Sequence, residues 1–531
     1  MVDHLKEKTD SILSLFSDGQ LQEALNALNR LEKEYPSDSL LFNIRGACYA
    51  GLGKLDLAIK SYHKAIELKP DYAKAYYNLA GTQHELNDLE SAINSYRKAI
   101  KIDPNNAEAF NNLGNVYKET NNAVKAIQSF KKALDLNPDY IEAHYSLGNL
   151  HHEAGDLELA VNSFKIVLKN KPGLAALHNN LGNILRDLGR LDEAIESYKD
   201  AISIKGDFAE SFNDMGIVYE EIGQINKAIN HYHQAINIDS NFAEAYNNLG
   251  NIYKKNNQIN SAINCYKKAI SIKPNFVLAL YHIGMLYLQN EKKTKAIDSF
   301  KKALEFNPKF DDANHMLNAT IGKTSSSPPK EYVEKLFDDY ANNFDESLVE
   351  QLKYKLPFAI NRLATENLLN KSKYKNVIDL GCGTGLAGHG LREISIALTG
   401  VDLSKKMIAK AFERELYDSL NVNDICNFLA SSNEKYDLFV ALDVLIYIGD
   451  ATDFFAAVKE SSSKNAILIF SIELQDLDGY SLLSSGRYAH SHSFIIQNTS
   501  KSFKLLKAEN VNLRKEKGCW IKGQIITLQA L

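Results

Sequence analysis

The residues with the clearest capacity for chemistry lie between positions 377 and 402 of the 531-residue chain. Val377-Ile378-Asp379-Leu380 reads as a buried strand, and it ends in Gly381-Cys382-Gly383-Thr384-Gly385. Glycines at alternate positions let a backbone turn tightly and approach a ligand where a Cβ would block it. Gly383, Gly385 and Gly388 satisfy the G-x-G-x-x-G spacing of a dinucleotide loop, and Asp402 follows Gly383 by 19 residues, as an acid for ribose hydroxyls would. Asp379 separates the possible ligands. A carboxylate two residues before the first glycine repels a pyrophosphate, yet it suits the ammonium group of a methionine moiety. S-adenosylmethionine has that ammonium and no phosphate.

The elements around the loop must then be alternating strands and helices. Ala397-Leu398-Thr399-Gly400-Val401-Asp402, Tyr436 to Leu442 and Ala466 to Ser471 are further strand-like runs separated by helical stretches, which predicts a parallel sheet covered on both faces. The sequence D-L-G-C-G-T-G, then V-D-L-S, then Y-D-L-F-V-A-L-D-V-L resembles the class I S-adenosylmethionine-dependent methyltransferases. The resemblance implies an α/β Rossmann-like domain in which Gly381, Gly383 and Gly385 let the backbone approach the cofactor and Asp379 faces its amino-acid end. It gives Asp402 both ribose hydroxyls, since a carboxylate presents two acceptors to a diol. It places Leu403 and Met407 against the adenine and Asp424 at the adenine amino group, a helix cap being the alternative reading of Asp424.

Methyl transfer is an in-line displacement that mainly needs alignment and, for some acceptors, removal of a proton. Asp443, Tyr447, Glu473, Tyr488, His490 and His492 fall at expected strand ends or in the late loop, and Asp443, Tyr488 and His490 are the catalytic candidates. Arg487 is placed to pair with an anionic substrate group, and His490 to accept a proton from a hydroxyl or amine. The stretch Ala441-Leu442-Asp443-Val444 stands where a [DNS]-P-P-[YFW] tetrapeptide would hold an exocyclic amino group, so methylation of base amino groups in DNA is disfavoured. Cys382 reads as a small neutral loop residue rather than a nucleophile.

The larger part of the chain is periodic. Pro36, Pro70, Pro104, Pro138, Pro172, Pro274 and Pro308 share one phase of a 34-residue ruler whose remaining teeth are Gly206 and Ser240. Twelve residues before every tooth stands an alanine, from Ala24 to Ala296. Small residues such as Gly46, Ala80, Gly114 and Gly182 precede that alanine by twelve positions, and Tyr62, Tyr96, Phe130, Tyr198 and their equivalents follow it by four. The small residues let two helices approach, and the rings are expected to fill the gap toward the next unit. The pattern resembles the tetratricopeptide repeat, nine copies over 5–310, an all-α superhelical solenoid with a groove lined by first helices. Asparagines recur on that helix, as in Asn111-Asn112-x-x-Asn115, Asn179-Asn180-x-x-Asn183 and Asn247-Asn248-x-x-Asn251. Asparagine is a weak helix former, so its repetition invites a reason. The units resemble the repeats of O-linked N-acetylglucosamine transferase, which implies an amide ladder of Asn112, Asn180 and Asn248 that binds an extended protein or peptide; general richness in Asn, Lys and Ile is the other reading.

Asp311 to Lys323 starts a first helix without a second and reads as a capping helix; 324–329, with Pro328-Pro329, reads as a linker; and 330–531 forms the second domain. Tyr332-Val333, then Phe337 to Asp345, then Leu352-Lys353-Tyr354-Lys355-Leu356-Pro357, together with Ser485-Gly486-Arg487-Tyr488-Ala489-His490-Ser491, look like bacterial methyltransferases fused behind tetratricopeptide repeats. The net charge of -5 is spread over both parts, so neither offers the positive field a duplex nucleic acid requires. The charged start and the lack of a long apolar run predict a cytoplasmic protein without a membrane span. Five scattered cysteines without a C-x-x-C pair predict neither a disulfide framework nor a metal site. The expected function is a methyltransferase whose repeats recruit its substrate or a partner. The competing expectation is a scaffold or adaptor whose methyltransferase-like domain binds the cofactor without catalysis.

Overall fold

The computed structural model describes residues 2–341, 344–346, 356, 360, 363, 373–516 and 518–531. Asn342, Asn343, Leu352, Lys353, Tyr354, Lys355 and Pro357 lie outside the described residues. The chain forms two compact units, Met1–Asn248 and Leu249–Leu531.

The first unit is a solenoid of helix pairs running from Val2–Ser17 with Leu21–Glu34 to Ala209–Glu221 with Ile225–Ile238. The ruler prolines mark the turns. Pro70 follows Lys69, whose backbone N–H closes the helix Leu55–Leu68 on Ala65, and a proline there cannot extend the helix. The phased alanines Ala24, Ala58, Ala92, Ala126, Ala160, Ala194 and Ala228 are all fully buried. The aromatic residue four positions later lies one turn along the same face, where its ring fills the hollow of the pair within its own repeat and also joins the cluster toward the next one. A Cβ on Gly182 would lie 2.5 Å from the Tyr198 ring, and one on Gly46 would lie 2.5 Å from Tyr62. Continuity between repeats comes from clusters such as Ala92, Tyr96, Leu113, Val116, Phe130 and Leu147, which no single pair could bury.

The second unit opens in the eighth repeat, completes it with Ile259–Ile272, adds Val277–Gln289 and Lys293–Phe306, and caps the array with Asp311–Ile321. Gly322 ends that helix at φ 78°, a left-handed conformation that costs glycine nothing. After Lys330–Tyr340 come the strands β1 (Tyr374–Leu380), β2 (Ser395–Asp402), β3 (Ser419–Val422), β4 (Tyr436–Ala441), β5 (Ser462–Glu473), β6 (Tyr480–Leu482), β7 (Tyr488–His490), β8 (Phe503–Glu516) and β9 (Cys519–Ala530). The main sheet has the order β3-β2-β1-β4-β5-β9-β8. β1 to β5 are parallel, as their alternation with helices predicts, whereas β9 and β8 add an antiparallel edge. One apolar cluster includes Leu380, Phe439, Phe455 and Ile526, and a second includes Val377, Leu391, Val440 and Leu513. Strand order reverses between β1 and β4, which opens a crevice at their carboxyl ends.

The stretch 324–329 is not a loose tether. Thr324 Oγ1 accepts from Leu482 N at 3.2 Å, Ser325 Oγ bonds Tyr488 Oη at 2.7 Å, and Ser326 O accepts from Asp450 N at 2.8 Å. The capping helix joins the same contact: His315 Nε2 donates to Gly486 O at 2.9 Å, Ala319 packs with Leu482 and Tyr488, and Met316 packs on Tyr332. The β6–β7 hairpin is thereby clamped to the end of the array. A fragment 325–531 leaves this surface bare, whereas 277–531 keeps it. Thermal denaturation is expected to show the shorter fragment melting about 5–10 °C lower, on the order of 2–4 kcal/mol of lost packing and hydrogen bonding. Equal melting temperatures would show that the clamp contributes nothing.

Candidate functional site

The glycine loop lies in the crevice. Gly381, Gly383 and Gly385 have φ of 71°, 53° and 82°, a backbone path that side chains with a Cβ resist. A Cβ on Gly381 would also meet Val444 at 2.5 Å. Two carboxylates underlie the loop. Asp402, at the end of β2, accepts from Gly383 N at 2.9 Å through Oδ2 and from Ser404 N at 2.8 Å through Oδ1, and burial raises its pKa. The backbone N–H of Leu403 opposes that shift together with those of Ser404 and Gly383. Asp379 is 3% exposed, opposite Gly400 in the β1–β2 register, and burial pushes its pKa up to about 7 against the lowering hydrogen bond from Tyr417.

Sequence reasoning missed Tyr417. Its hydroxyl donates to Asp379 Oδ2 at 2.7 Å, and its ring fills the hollow beside Gly385, Gly388 and Gly400, where added Cβ atoms would lie 2.9 to 3.0 Å from it. Gly388 therefore serves this ring, and the carboxylate expected to face a ligand ammonium also holds a buried phenol. Nothing in the local pattern around Tyr417 marks it, because the contact spans 38 residues.

Asp338, Phe344 and Asp345 approach the loop from the other side. Asp338 accepts from Ser404 Oγ and from Lys406 N. Asp345 accepts from Thr384 Oγ1 and pairs with Arg414, whose Nε donates to Thr384 O at 2.6 Å. The Phe344 ring stands 3.6 Å from where a Gly383 Cβ would be. Three carboxylates, Asp338, Asp379 and Asp402, thus surround the loop, and the nearby Arg414 is already neutralised by Asp345. Such a cradle favours a cation over a pyrophosphate. Leu403 is half-buried beside it, whereas Met407 is fully buried and belongs to the core. Asp424 caps Ile425–Ser431 through Asn427 N at 3.1 Å and pairs with Lys330 at 3.1 Å, so both its oxygens are engaged, as the cap reading holds. Cys382 is buried and its thiol pKa lies well above the ordinary value, in keeping with a neutral loop residue.

Beyond the loop, at the carboxyl ends of β4 and β5, lies a charged network. Asp443 has φ 55°, an uncommon conformation for a residue with a side chain, held by its N–H on Ser471 Oγ at 2.8 Å. Arg514, 2% exposed, reaches Glu473 and Glu516 at 2.6 Å and Asp443 at 3.5 Å. Arg487 bonds Tyr447 Oη at 3.3 Å and pairs with Glu516, so it is committed within the protein rather than held free for a substrate anion. Arg514 and Glu516 escaped the sequence reading because they come from β8, in the unforeseen antiparallel edge.

The two aromatic candidates of the late segment are corrected. His490 is fully buried, its Nε2 donates to Gly449 O at 2.9 Å, and burial lowers its pKa. Tyr488 is fully buried with its hydroxyl on Ser325. Both point into the hairpin clamp because β7 pairs with β6 instead of lying open over the sheet edge. His492 is exposed and bonds Gln524 at 2.7 Å.

Several asparagines of the first unit bond to the neighbouring repeat. Asn112 Nδ2 donates to Tyr77 Oη at 3.1 Å, and its Oδ1 accepts from Asn111 at 3.3 Å. Asn248 donates to Asn213 at 3.0 Å, and Asn78 to Asn43 at 3.0 Å. A spacing of 35 recurs because the stagger of stacked first helices sets residue i against i−35. The ladder thus links repeats, against the expectation that these amides face a bound backbone, and only Asn180 is exposed.

Comparison with known proteins finds repeats in the N-terminal part and a methyltransferase domain in the C-terminal part. A family model described as a TPR repeat matches 46–87, 82–121, 119–155, 182–223 and 221–257, and tetratricopeptide-repeat models match 141–173, 243–276 and 277–310. A methyltransferase-domain model matches 348–508. A ubiquinone biosynthesis O-methyltransferase of Coxiella burnetii is 31% identical over 81 residues, 15% of this chain and 35% of the relative. The Pasteurella multocida protein of that name is 24% identical over 125 residues, 21% and 52% of the two chains. The chain thus spans about a third to a half of the length of these relatives. The crystal structure of MamA is 28% identical with a TM-score of 0.31, covering 32% of this chain and 94% of that one. YrrB, a TPR protein with an unusual peptide-binding site, is 26% identical with a TM-score of 0.34, covering 35% and 96%. The chain is a tetratricopeptide-repeat array fused to a Rossmann-like methyltransferase domain.

Proposed function

We propose that the C-terminal domain is a class I methyltransferase that binds S-adenosylmethionine in the glycine-loop crevice, and that the repeats recruit a protein or peptide substrate or partner. The observation that carries the cofactor reading is the triad of carboxylates around a left-handed glycine loop. The bound cofactor supplies a transferable methyl group on a sulfonium. Asp402 would hold the ribose diol, and Asp379 would stabilise the ammonium. The loop backbone would take the close approach, with Leu403 at its side. An acceptor would enter beside Asp443, whose strained backbone marks the end of β4 next to Val444 and Gly381. A scaffold role without catalysis draws support from one observation, the burial of both His490 and Tyr488. It predicts cofactor binding with no methyl incorporation when the protein and radiolabelled cofactor are added to fractionated lysate; labelling of any fraction favours the enzyme.

Asp402→Ala removes two charge-assisted contacts to the diol. Calorimetry is expected to show S-adenosylhomocysteine affinity falling 30- to 1000-fold, roughly 2–4 kcal/mol. Unchanged affinity, or tight binding of NAD by the wild type, would contradict the assignment.

The Asp379 pKa gives a second test. Its folded value stands above the unfolded one, so between about pH 4 and pH 7 the folded chain holds a proton that the unfolded chain has lost, and stability falls as pH rises through that window. Asp379→Asn keeps an acceptor for Tyr417 but removes this loss. The variant should melt at the wild-type temperature or above it at pH 7.5 while binding S-adenosylhomocysteine at least tenfold more weakly. In the wild type, an ammonium beside Asp379 lowers its pKa, so binding at pH 7 should release a proton, read by calorimetry in two buffers of different ionisation enthalpy. Buffer-independent heats together with unaltered affinity in Asp379→Asn would remove Asp379 from the site.

A further inference from the structure

The cleft between the second helices of the third and fourth repeats has a charge arrangement that its neighbours lack. It is an open groove of about 460 Å³ between Leu89–Ile102 and Ala123–Leu136, with Ala107–Glu119 as its floor. Phe110, Leu113 and Tyr117 make the floor apolar. Arg97 and Lys101 stand on one wall and Lys125 and Lys132 on the other, and no carboxylate lines the cavity. Arg97 and Lys101 make no ion pair among the described residues. Lys125 lies 5.5 Å over the Tyr117 ring, and Lys132 pairs only with exposed Asp135 at 3.1 Å.

The repeat supplies its own comparison. Two units further on, the equivalents of Arg97 and Lys101 are Lys165 and Lys169, and those of Lys125 and Lys132 are Glu193 and Asp200. There Lys165 pairs with Glu193 at 3.0 Å and the two walls attract. In the cleft of the third and fourth repeats cation faces cation, an arrangement that repels across the gap unless an anion enters it. The apolar floor asks for something besides charge, since half-buried Phe110, beside Leu113 and the edge of the Tyr117 ring, gains from burying an aliphatic or aromatic group. The cleft opens between second helices, whereas the asparagine ladder runs along first helices, so it is separate from the groove expected to bind peptide.

We infer that this cleft binds an acidic peptide segment in which a bulky apolar side chain is flanked by carboxylates. The apolar side chain sits on Phe110 and Tyr117, and the carboxylates bridge Arg97 and Lys101 to Lys125 and Lys132. The site is independent of methyl transfer.

The test uses the full chain and a fluorescein-labelled pentapeptide with phenylalanine between two pairs of glutamates, followed by anisotropy. Binding is expected with a Kd on the order of 10–100 µM at low salt, weakened by added salt. Arg97→Glu with Lys125→Glu should reduce affinity at least tenfold, whereas Lys165→Glu, in the other cleft, should leave it unchanged; circular dichroism confirms equal helix content. Replacing the glutamates by glutamines should abolish binding, and replacing the phenylalanine by alanine should weaken it severalfold. Absence of wild-type binding, equal affinity for the glutamine peptide, indifference to the double charge reversal, or stronger displacement by a single-stranded oligonucleotide than by unlabelled acidic peptide would each overturn the inference.

Discussion

Burying two carboxylates on neighbouring strands beneath one glycine loop is the constraint to which the methyltransferase domain answers. An ionised carboxylate out of water is costly unless hydrogen bonds or opposite charge compensate. Asp402 takes its compensation from the backbone N–H groups of Gly383, Leu403 and Ser404, and the first of them fixes the glycine loop. Among the described residues Asp379 has a single phenol, from Tyr417, and no cation. The described part of the domain thus presents a negative site whose natural complement is positive. Gly385, Gly388 and Gly400 lack side chains because the Tyr417 ring occupies their Cβ space. Asp338 and Asp345 then tie the preceding helix region to both sides of the same loop.

The repeats meet a different physical demand. One helix pair cannot bury its inner face, so each passes its exposed apolar side to the next. At the end of the array the capping helix does not simply turn a polar face to solvent. It lends His315, Met316 and Ala319 to the hairpin whose other side presents Arg487 to the network of Arg514, Glu516 and Asp443. The array terminus and the charged network at the ends of β4 and β5 are thus joined through a few buried contacts. That geometry suits a recruiting array, because a substrate held by the repeats gains effective concentration only if the connection is short and defined.

The sequence made some of this legible and hid the rest for identifiable reasons. The phased alanine recurs nine times, supported in most units by the Pro, Gly and aromatic positions, and it located the helix pairs. The glycine loop was legible because its residues are contiguous, and Asp402 because a fixed distance separates it from the loop. Tyr417, Arg514 and Glu516 were not, since each acts through a contact with distant chain. His490 and Tyr488 misled because residue type shows chemical capacity and not burial, and the short β6–β7 pairing that buries them has no strong strand pattern. The asparagine ladder was seen in the right place, but whether amides face a ligand or each other depends on the stagger of adjacent repeats, which one repeat's sequence does not contain.

The central claim is that the crevice between β1 and β4 selects a cationic nucleoside cofactor. Hydrogen–deuterium exchange of the full chain, with and without saturating S-adenosylmethionine, addresses it residue by residue. The account predicts slowed exchange concentrated in peptides spanning Asp379–Gly385 and Asp402–Met407, and no such change with NADH. Protection of those peptides by NADH instead, or cofactor-dependent protection confined to other parts of the chain, would contradict it.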